Sequence, residues 1–316
     1  MPTPRLLDLL GTGAEDVAVD HGGRILCGVE DGRILRLSPD GRRVEVVADT
    51  LGRPMGVEVD DDGTLVVCDC TRGLLRVDPE SAAVRVLVGA EESVEGRPVL
   101  LCNNSTIGPD GAIWFSDSSS RFTQPLWKAD LLEHSGTGRL LRRDAGGRVD
   151  VVATGLHFAN GVALAPDQSF VVVAETAAYR LTRVWLTGPK GGQVDALVDD
   201  LPGFPDNIAV GSDGLLWVAI GSPRNAALDF LSPKHPLLRK VVWALPDRLQ
   251  PKPANTAWVQ AFSFDGALVH DFQATVDGFA MVTGVREHAG TVWMGNLHSR
   301  SVAAFELPAE PPPAHD

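Results

Sequence analysis

The sequence predicts an all-β protein, a six-bladed β-propeller in one domain over residues 1–316. Three observations predict it. A short polar turn with Asp or Gly recurs along the chain, and an apolar or alternating run typical of strands follows each time. The turns lie near residues 22, 62, 110, 167, 213 and 289, so most intervals are about 40 to 57 residues, as in propeller blades. No strong helical periodicity interrupts these units, which argues against an α/β sheet.

Each repeat is interpreted as an innermost strand, a turn and further strands running outward. The stretches that carry the repeats are, in order, HGGRILCGVEDGRILRLS, DDGTLVVCDCTRGLLRVD, PDGAIWFSDSSS with GRLLRRD, PDQSFVVVAETAAYRLTRVWL, SDGLLWVAIG and HAGTVWMGNLHSRSVAAFEL. The first strand is predicted at residues 16–19 and the last at residues 301–307. We expect the terminal strands to share one blade, because this closure leaves no exposed strand edge.

One interval, between blades five and six, is longer than the others. Its additional residues, about 222–258, show helical spacing of leucine and valine over residues 236–245, with prolines on both sides. We expect a helical insertion that acts as a lid or as a wall of a site, because long insertions on rigid scaffolds often do so. A surface helix without a functional role is the alternative.

Composition limits the possible partners and the compartment. The chain has 316 residues, 44% of them hydrophobic, and a formal charge of −13, which argues against nucleic acid and against an anionic membrane. It contains no run of about 18 apolar residues, and its first residues lack the apolar region of a secretory signal. We therefore expect a cytoplasmic protein. The four cysteines match no zinc spacing and are interpreted as small buried apolar residues, with a disulfide from Cys102 to Cys68 or Cys70 as the alternative.

Polar residues stand just ahead of the predicted innermost strands of four blades. They are Glu15 in GAED, Asn103 and Asn104 in LLCNNS, Asn160 in HFANG, and Asp206 and Asn207 in PDN. Equivalent positions in separate blades converge on the propeller axis, although a single Asn or Asp before a strand is ordinarily a turn residue. Carboxylate and amide oxygens are the ligands that calcium takes, whereas zinc or copper would need histidine or thiolate. The pattern predicts a shared site for Ca²⁺ or another hard divalent cation.

The chain resembles the calcium-dependent six-bladed propellers that include gluconolactonase and regucalcin proteins, paraoxonases and diisopropyl fluorophosphatase. It is most similar to their strictosidine-synthase-like branch, which includes the adipocyte plasma-membrane-associated proteins. The resemblance spans nearly the whole chain, and FANG and PDN are its most specific motifs. The other resembling stretches are RPMGVEVD, FSDSSSRF, SGTGRLL, LTRVWLTGPK, RNAALDFLSPKHPLLRK and REHAGTVWMGNL.

The resemblance implies a set of metal ligands and two departures. Glu15, Asn103, Asn160 and Asp206 match the ligands of the metal-binding relatives, Asn207 matches a further ligand of paraoxonase-like members, and Asn104 stands where an Asp is usual. Paraoxonases have a histidine where this chain has Met55 beside Gly56. Strictosidine synthase has a catalytic Glu near the start of the last blade, where this chain has Met281-Val282-Thr283-Gly284. The second departure argues against a Pictet–Spengler condensation.

These features predict a calcium-dependent hydrolase of lactones or aryl esters, because a bound cation polarises a carbonyl and stabilises the charge that develops on it. Asp206 is the predicted base or nucleophile, with a pKa held low by the cation. His157 and Glu175 are further catalytic candidates. His298 and Asn296 are weaker ones, and Asp117 is interpreted as tying down a hairpin.

Aromatic residues predict an apolar pocket for a small-molecule ester or lactone, although core or lid packing would explain them equally well. They are Phe122, Trp127, Phe158, Phe204 and Trp258. Two other functions stay open. One is an enzyme of specialised metabolism that forms or breaks C–C or C–N bonds, and the other is a non-catalytic binding propeller with a structural calcium.

Overall fold

The computed structural model describes residues 1–225 and 254–308, and this part of the chain forms six four-stranded antiparallel sheets. Each sheet is one blade, and the first strands of successive blades pack against one another in a closed ring around an axis. The predicted all-β, six-bladed propeller is therefore confirmed.

The strands of blades 1 to 3 run outward from the axis in chain order. Blade 1 contains β2 (Ala18–Val19), β3 (Ile25–Gly28), β4 (Arg33–Leu37) and β5 (Val44–Asp49). Blade 2 contains β6 (Pro54–Val59), β7 (Leu65–Asp69), β8 (Gly73–Asp78) and β9 (Ala83–Gly89), followed by a small hairpin of β10 (Ser93–Val94) and β11 (Arg97–Pro98). Blade 3 contains β12 (Cys102–Ile107), β13 (Ile113–Asp117), β14 (Gly138–Arg143) and β15 (Val149–Leu156).

Blades 4 and 5 follow the same order, and blade 6 combines both ends of the chain. Blade 4 contains β16 (Ala159–Leu164), β17 (Phe170–Glu175), β18 (Arg180–Trp185) and β19 (Val194–Val198). Blade 5 contains β20 (Gly203–Val210), β21 (Leu216–Pro223), β22 (Ala257–Phe262) and β23 (Leu268–Ala274). Blade 6 contains β24 (Val282–His288), β25 (Thr291–Asn296), β26 (Ser301–Glu306) and β1 (Arg5–Asp8).

The recurring polar turns join the first strand of each blade to its second, as the sequence predicted. In blade 1, Asp20 Oδ1 accepts the backbone N–H groups of Gly22 and Arg24 at 2.9 Å. Gly23 adopts a φ of 74°, in the left-handed region that glycine reaches without a steric penalty. The Asp-Gly spacing therefore fixes the turn geometry, and the turn fixes where each innermost strand ends.

The closure of the ring corrects one prediction. The strand that pairs with β26 is β1, with Leu7 opposite Val302, and the strand predicted at residues 16–19 is the innermost strand of blade 1. The expected sharing of one blade by the two ends of the chain is present. The core lies between neighbouring blades. Between blades 6 and 1 it includes Leu7 and Trp293, which are both buried.

The additional residues of the long interval lie within blade 5. They connect β21 to β22, so they do not separate blade 5 from blade 6. The predicted helix at residues 236–245 lies outside the described residues. A helix that was not predicted, α1 (Trp127–Glu133), follows a 3-10 turn (Gln124–Leu126) in the connection between β13 and β14 of blade 3.

Candidate metal centre

Six side chains, one from each blade, line a common pocket at one mouth of the central channel. They are Glu15 ahead of β2, Met55 in β6, Asn103 in β12, Asn160 in β16, Asp206 in β20 and Thr283 in β24. Each lies at or just ahead of the start of the innermost strand of its blade. The sequence pattern predicted this common position for the polar residues. The structure thus brings together four of the five predicted ligands. The fifth, Asn207, is the buried neighbour of Asp206.

The oxygen-bearing residues of this ring are hydrogen-bonded across blade boundaries. Asn160 Nδ2 donates to Asp206 Oδ1 at 2.6 Å, which joins blade 4 to blade 5. Asn207 Nδ2 donates to Glu15 Oε2 at 3.0 Å, which joins blade 5 to blade 1. Each carboxylate therefore keeps one oxygen that receives no bond from these amides.

Three buried amide oxygens have no hydrogen-bond partner in the described part of the chain: Oδ1 of Asn103, of Asn160 and of Asn207. A buried acceptor without a partner costs about 1–3 kcal/mol, so two such oxygens in the pocket lining and a third on the neighbouring Asn207 favour binding of a cation or another electrophile there. Two carboxylates and three amide oxygens fit a hard divalent cation. Within residues 1–225 and 254–308, no group of three or more His, Cys, Asp or Glu side chains could hold a metal ion. The donor set is therefore one of mixed amide and carboxylate oxygens.

The two carboxyl groups of the pocket hold their protons strongly in the absence of a cation. Burial raises the pKa of Asp206 to about 8, against the opposing effect of the hydrogen bond from Asn160. Burial, and then the charges of Asp206 and Asp16, raise the pKa of Glu15 well above its ordinary value. A cation bound between them would offset this cost, because an opposite charge favours the ionised form.

Asn104 and Asp16 form a second polar layer below the pocket. Asn104 Nδ2 donates to Asp16 Oδ2 at 3.1 Å, and Asn104 Oδ1 accepts the N–H of Val162 at 3.0 Å. Asp16 Oδ2 also accepts the N–H of Val57 at 3.1 Å. Asn104 is thereby committed to bonds among blades 1, 3 and 4, whereas Asn103 lines the pocket.

Two of the three predicted catalytic residues lie outside the residues that line the pocket. Glu175 is fully buried and accepts hydrogen bonds from Arg180 Nε at 2.8 Å, from Thr182 Oγ1 and from the N–H of His157 at 2.7 Å. Glu175, a catalytic candidate from the sequence, therefore does not line the pocket. His157 stacks on His134 with ring centroids 3.9 Å apart, so its packing accounts for its position.

The weaker candidates in blade 6 form a turn. Asn296 Nδ2 donates to the carbonyl of Ser301 at 2.9 Å, and Asn296 Oδ1 accepts the N–H of His298 at 3.0 Å. Asp117 has the structural role that the sequence suggested, because it pairs with the buried Arg139 at 2.5 Å. The four cysteines are buried and free, so the alternative of a disulfide is excluded.

The aromatic predictions divide into two groups. Phe158 and Trp127 line the pocket, whereas Phe122, Phe204 and Trp258 do not. Trp258 packs in the core between blades 4 and 5 and donates Nε1–H to Asp271 at 2.6 Å. Phe204 packs against Tyr179 with ring centroids 4.8 Å apart. Trp258 is directed into the core, whereas Phe204 is partly buried beside Tyr179, which corrects the prediction that they line the pocket.

The sequence reasoning missed several pocket residues: Met55, Leu101, Gln124, Thr176, Met281, Thr283 and Leu297. Met55 and Thr283 occupy in blades 2 and 6 the position that the predicted ligands occupy in the other blades, so aligning the six repeats could have found them. Phe158 and Met281 adopt φ values of 60° and 55°, in the left-handed region that bulky residues rarely occupy. Such strain concentrates at ligand sites and here lies on two sides of one pocket.

Comparison with known families and proteins gives two partial family-model matches and several relatives that match over most of the chain. The family model described as strictosidine synthase matches residues 103–189, and the N-terminal model of strictosidine synthase-like proteins matches residues 5–37. The adipocyte plasma membrane-associated protein of Rattus norvegicus is 33% identical over 96% of this chain and 85% of that protein.

Solved structures share the fold at low sequence identity. A gluconolactonase from Xanthomonas campestris matches with a TM-score of 0.69 and 19% identity, over 96% of this chain and 89% of that one. Regucalcin from Agrobacterium tumefaciens, described as a calcium-binding protein, matches with a TM-score of 0.64 and 13% identity, over 95% and 91%. Among the described residues, no helix has the length and apolar character needed to cross a membrane.

Proposed function

The chain belongs to the adipocyte plasma membrane-associated protein branch of the strictosidine-synthase-like propellers, and from this premise we propose that it is a calcium-dependent hydrolase of lactones or esters. One observation carries the proposal: two carboxylates and two partnerless amide oxygens line a single pocket, and a third partnerless amide oxygen belongs to Asn207, the buried neighbour of Asp206. The gluconolactonase and regucalcin named above support it by sharing the fold.

Glu15, Asn103, Asn160, Asp206 and Asn207 would hold the cation. When bound, it supplies Lewis-acid polarisation of the carbonyl under attack. The chain's own contribution is to orient groups and to take up a proton. Asp206 Oδ1 is engaged by Asn160, so Oδ2 is the oxygen that takes the proton of the attacking water. Among the described residues that line the pocket none is a histidine, so Asp206 is the proposed base.

The walls of the pocket indicate the kind of substrate. The cavity is small, about 50 Å³, and apolar side chains from blades 2 to 4 form part of its lining. Met55, Leu101 and Phe158 pack together there, and Trp127 of α1 packs against them. An ester or lactone with a compact apolar substituent would bury that group against this side while its carbonyl faces the oxygen ligands. A free sugar acid would leave its hydroxyl groups against apolar walls.

A structural cation in a non-catalytic propeller is the second candidate. The lack of a separate base favours the structural cation. Among the described residues that line the pocket, the only possible bases are carboxyl groups that the cation itself would hold. A structural cation would use the same oxygens and would stabilise the fold by mass action.

The proposal is tested with phenyl acetate and a panel of γ- and δ-lactones, assayed with CaCl₂ and with EGTA. We expect hydrolysis in wild type with calcium, loss of hydrolysis in EGTA, and loss of at least about 100-fold in kcat/KM in Asp206→Asn, since a positioned base contributes about 10²–10⁴-fold. Asp199→Asn is the matched control and should behave as wild type. Asp199 is an exposed carboxylate in the connection that leads into β20, the strand that contains Asp206.

Two results would contradict the hydrolase. Absence of turnover above background in every combination removes it, and turnover that persists in EGTA removes the role of the cation. A melting temperature that falls in EGTA while no turnover is found supports the structural cation instead.

The cellular setting stays a prediction. We propose one domain over residues 1–316, a cytoplasmic location and no nucleic-acid partner. The name of the relatives associates them with a plasma membrane, so the expected absence of a membrane partner needs a direct test. Flotation of the purified protein with neutral and with anionic liposomes provides it, and we expect the protein to stay at the bottom of the gradient.

A further inference from the structure

Two buried hydroxyl groups lie behind the amide groups of the proposed cation site. Ser118 directly follows β13 in blade 3, and Thr176 directly follows β17 in blade 4, so they occupy the same position in successive blades. Ser118 is fully buried and Thr176 is 5% exposed. Neither was singled out from the sequence.

The two hydroxyl groups make the same pair of hydrogen bonds. Ser118 Oγ donates to the carbonyl of Ala159 at 2.6 Å and accepts from Asn103 Nδ2 at 2.9 Å. Thr176 Oγ1 donates to the carbonyl of Pro205 at 2.7 Å and accepts from Asn160 Nδ2 at 3.1 Å. The two carbonyls belong to the residues directly before Asn160 and Asp206, so each hydroxyl also ties down the ligand-bearing strand of the next blade.

The order of donors and acceptors fixes the orientation of both amides. A backbone carbonyl can only accept, so it takes the single proton of the hydroxyl. The hydroxyl oxygen must then accept from the asparagine, and only the Nδ2 end of the amide can donate to it. The Oδ1 end is therefore directed away from the hydroxyl. In both residues this oxygen is the one that has no partner within the described chain.

Blades 2 and 6 support the link between the hydroxyl group and the orientation of the amide. After β7 and β25, the equivalent positions hold Cys70 and Leu297, which offer no hydroxyl. The ring residues of these blades are Met55 and Thr283, and neither has an amide to orient. The hydroxyl thus accompanies the asparagine in the blades where an amide oxygen must face the pocket.

We propose that Ser118 and Thr176 are positioning residues that hold Asn103 Oδ1 and Asn160 Oδ1 toward the cation. The inference rests on the proposed cation site. Without the hydroxyl, Asn103 Nδ2 loses its acceptor and Asn160 Nδ2 keeps only Asp206 Oδ1, so each amide is held less firmly and can present Nδ2, a donor that repels a cation. The hydroxyl therefore sets affinity through the orientation of the amide.

The test is a calorimetric titration of CaCl₂ into protein stripped with EGTA and dialysed. We expect Thr176→Val and Ser118→Ala each to weaken calcium binding by about 10–100-fold, the usual effect of losing a group that orients a metal ligand. Thr176→Ser keeps the hydroxyl and should bind calcium about as tightly as wild type.

Thr50→Val separates positioning from stability. Thr50 is also buried and its Oγ1 contacts the carbonyl of Gly32 at 3.1 Å and Asp69 Oδ2 at 2.7 Å, but it contacts no proposed ligand. We expect a lower melting temperature without calcium and unchanged calcium affinity. Wild-type affinity in Thr176→Val, or affinity in Thr176→Ser as weak as in Thr176→Val, overturns the inference alone. Wild type that binds no calcium overturns the cation site, and the inference with it.

Discussion

Buried acidic residues at the ends of second strands hold the backbone that leads into the channel. Asp117 Oδ1 accepts the N–H of Leu101 at 2.9 Å, and Glu175 Oε2 accepts the N–H of His157 at 2.7 Å. These N–H groups lie two and three residues before Asn103 and Asn160. At the scale of single residues, carboxylates outside the pocket lining therefore fix the backbone ahead of the proposed ligands.

Glu175→Gln tests this role through its pH dependence. Burial alone would raise the pKa of Glu175, but the hydrogen bonds from Arg180, His157 and Thr182 hold it below its ordinary value. Its contribution to stability is therefore complete above the unfolded pKa of about 4.3 and is lost as pH falls through the lower, folded pKa. We expect Glu175→Gln to lower the free energy of unfolding, measured with urea at pH 7, by roughly 1–3 kcal/mol. Below about pH 4 the difference in unfolding free energy between the variant and wild type should be smaller.

The control for this experiment is Glu45→Gln. Glu45 is exposed and pairs with Arg36 at 2.6 Å, so its loss should cost about 0–1 kcal/mol. A gap between Glu175→Gln and wild type that is equally wide at both pH values would contradict the assignment. Calcium affinity should not change in Glu45→Gln.

The innermost strands alternate between glycine and larger residues at the position after the ring. Gly56, Gly161 and Gly284 occupy it in blades 2, 4 and 6, and Asp16, Asn104 and Asn207 occupy it in blades 1, 3 and 5. A Cβ at Gly161 would lie 2.7 Å from Asn207 Cα, and one at Gly284 would lie 2.6 Å from Asp16 Cα. At the scale of elements, close approach of neighbouring strands brings the proposed ligands together around one pocket.

Gly161→Ala tests this close approach. The added methyl group meets backbone that cannot rotate away, so blades 4 and 5 must separate where Asn160 contacts Asp206. We expect a loss of about 1–3 kcal/mol of stability, typical of overpacking, together with weaker calcium binding. Gly89→Ala is the control, because the nearest atom to its Cβ would be Glu92 Oε2, on a flexible side chain, at 3.8 Å. Equal melting temperatures for the two variants would contradict the close approach.

The ring of blades is closed at two places by different forces. At its rim, β1 adds the outer strand of blade 6 and covers the edge of β26. At the channel mouth, oxygen ligands of blades 1, 3, 4 and 5 meet. At the scale of the whole molecule, the pairing of β1 must keep blade 6 beside blade 1, so that Glu15 faces the ligands from the other blades.

Leu7→Ala tests the closure at the rim. Leu7 is 5% exposed and packs in the core with Trp293 and Val302, whereas its neighbour Leu6 is 41% exposed on the other face of β1. We expect Leu7→Ala to lose about 2–5 kcal/mol in urea unfolding and Leu6→Ala to lose less than about 1 kcal/mol. If the two variants lose the same amount, the core face of β1 does not hold the ring closed.

The fold and the convergence of four proposed ligands on one pocket were predictable because both depend on the position of residues relative to the turns. An Asp-Gly turn fixes the end of each innermost strand. Residues at the same distance before this turn therefore occupy equivalent positions in all blades and converge on the propeller axis. The positions of Phe204, Trp258 and Glu175 were not predictable in this way. Their strands carry side chains on two faces, and only the packing of the next blade decides which face is core. The extra residues between β21 and β22 were assigned to the wrong connection, because the sequence does not say which strands of a blade they join.

By itself, the sequence determined the number of blades, the turns between the first two strands of each blade and the types of residue that lie near the propeller axis. Tertiary structure alone decided which atom of each residue faces the pocket. The orientation of Asn103 and Asn160 depends on hydroxyl groups that accept from one blade and donate to the next. Hydrogen bonding between segments distant along the chain leaves no periodic trace in the sequence, whereas strand alternation and turn chemistry do.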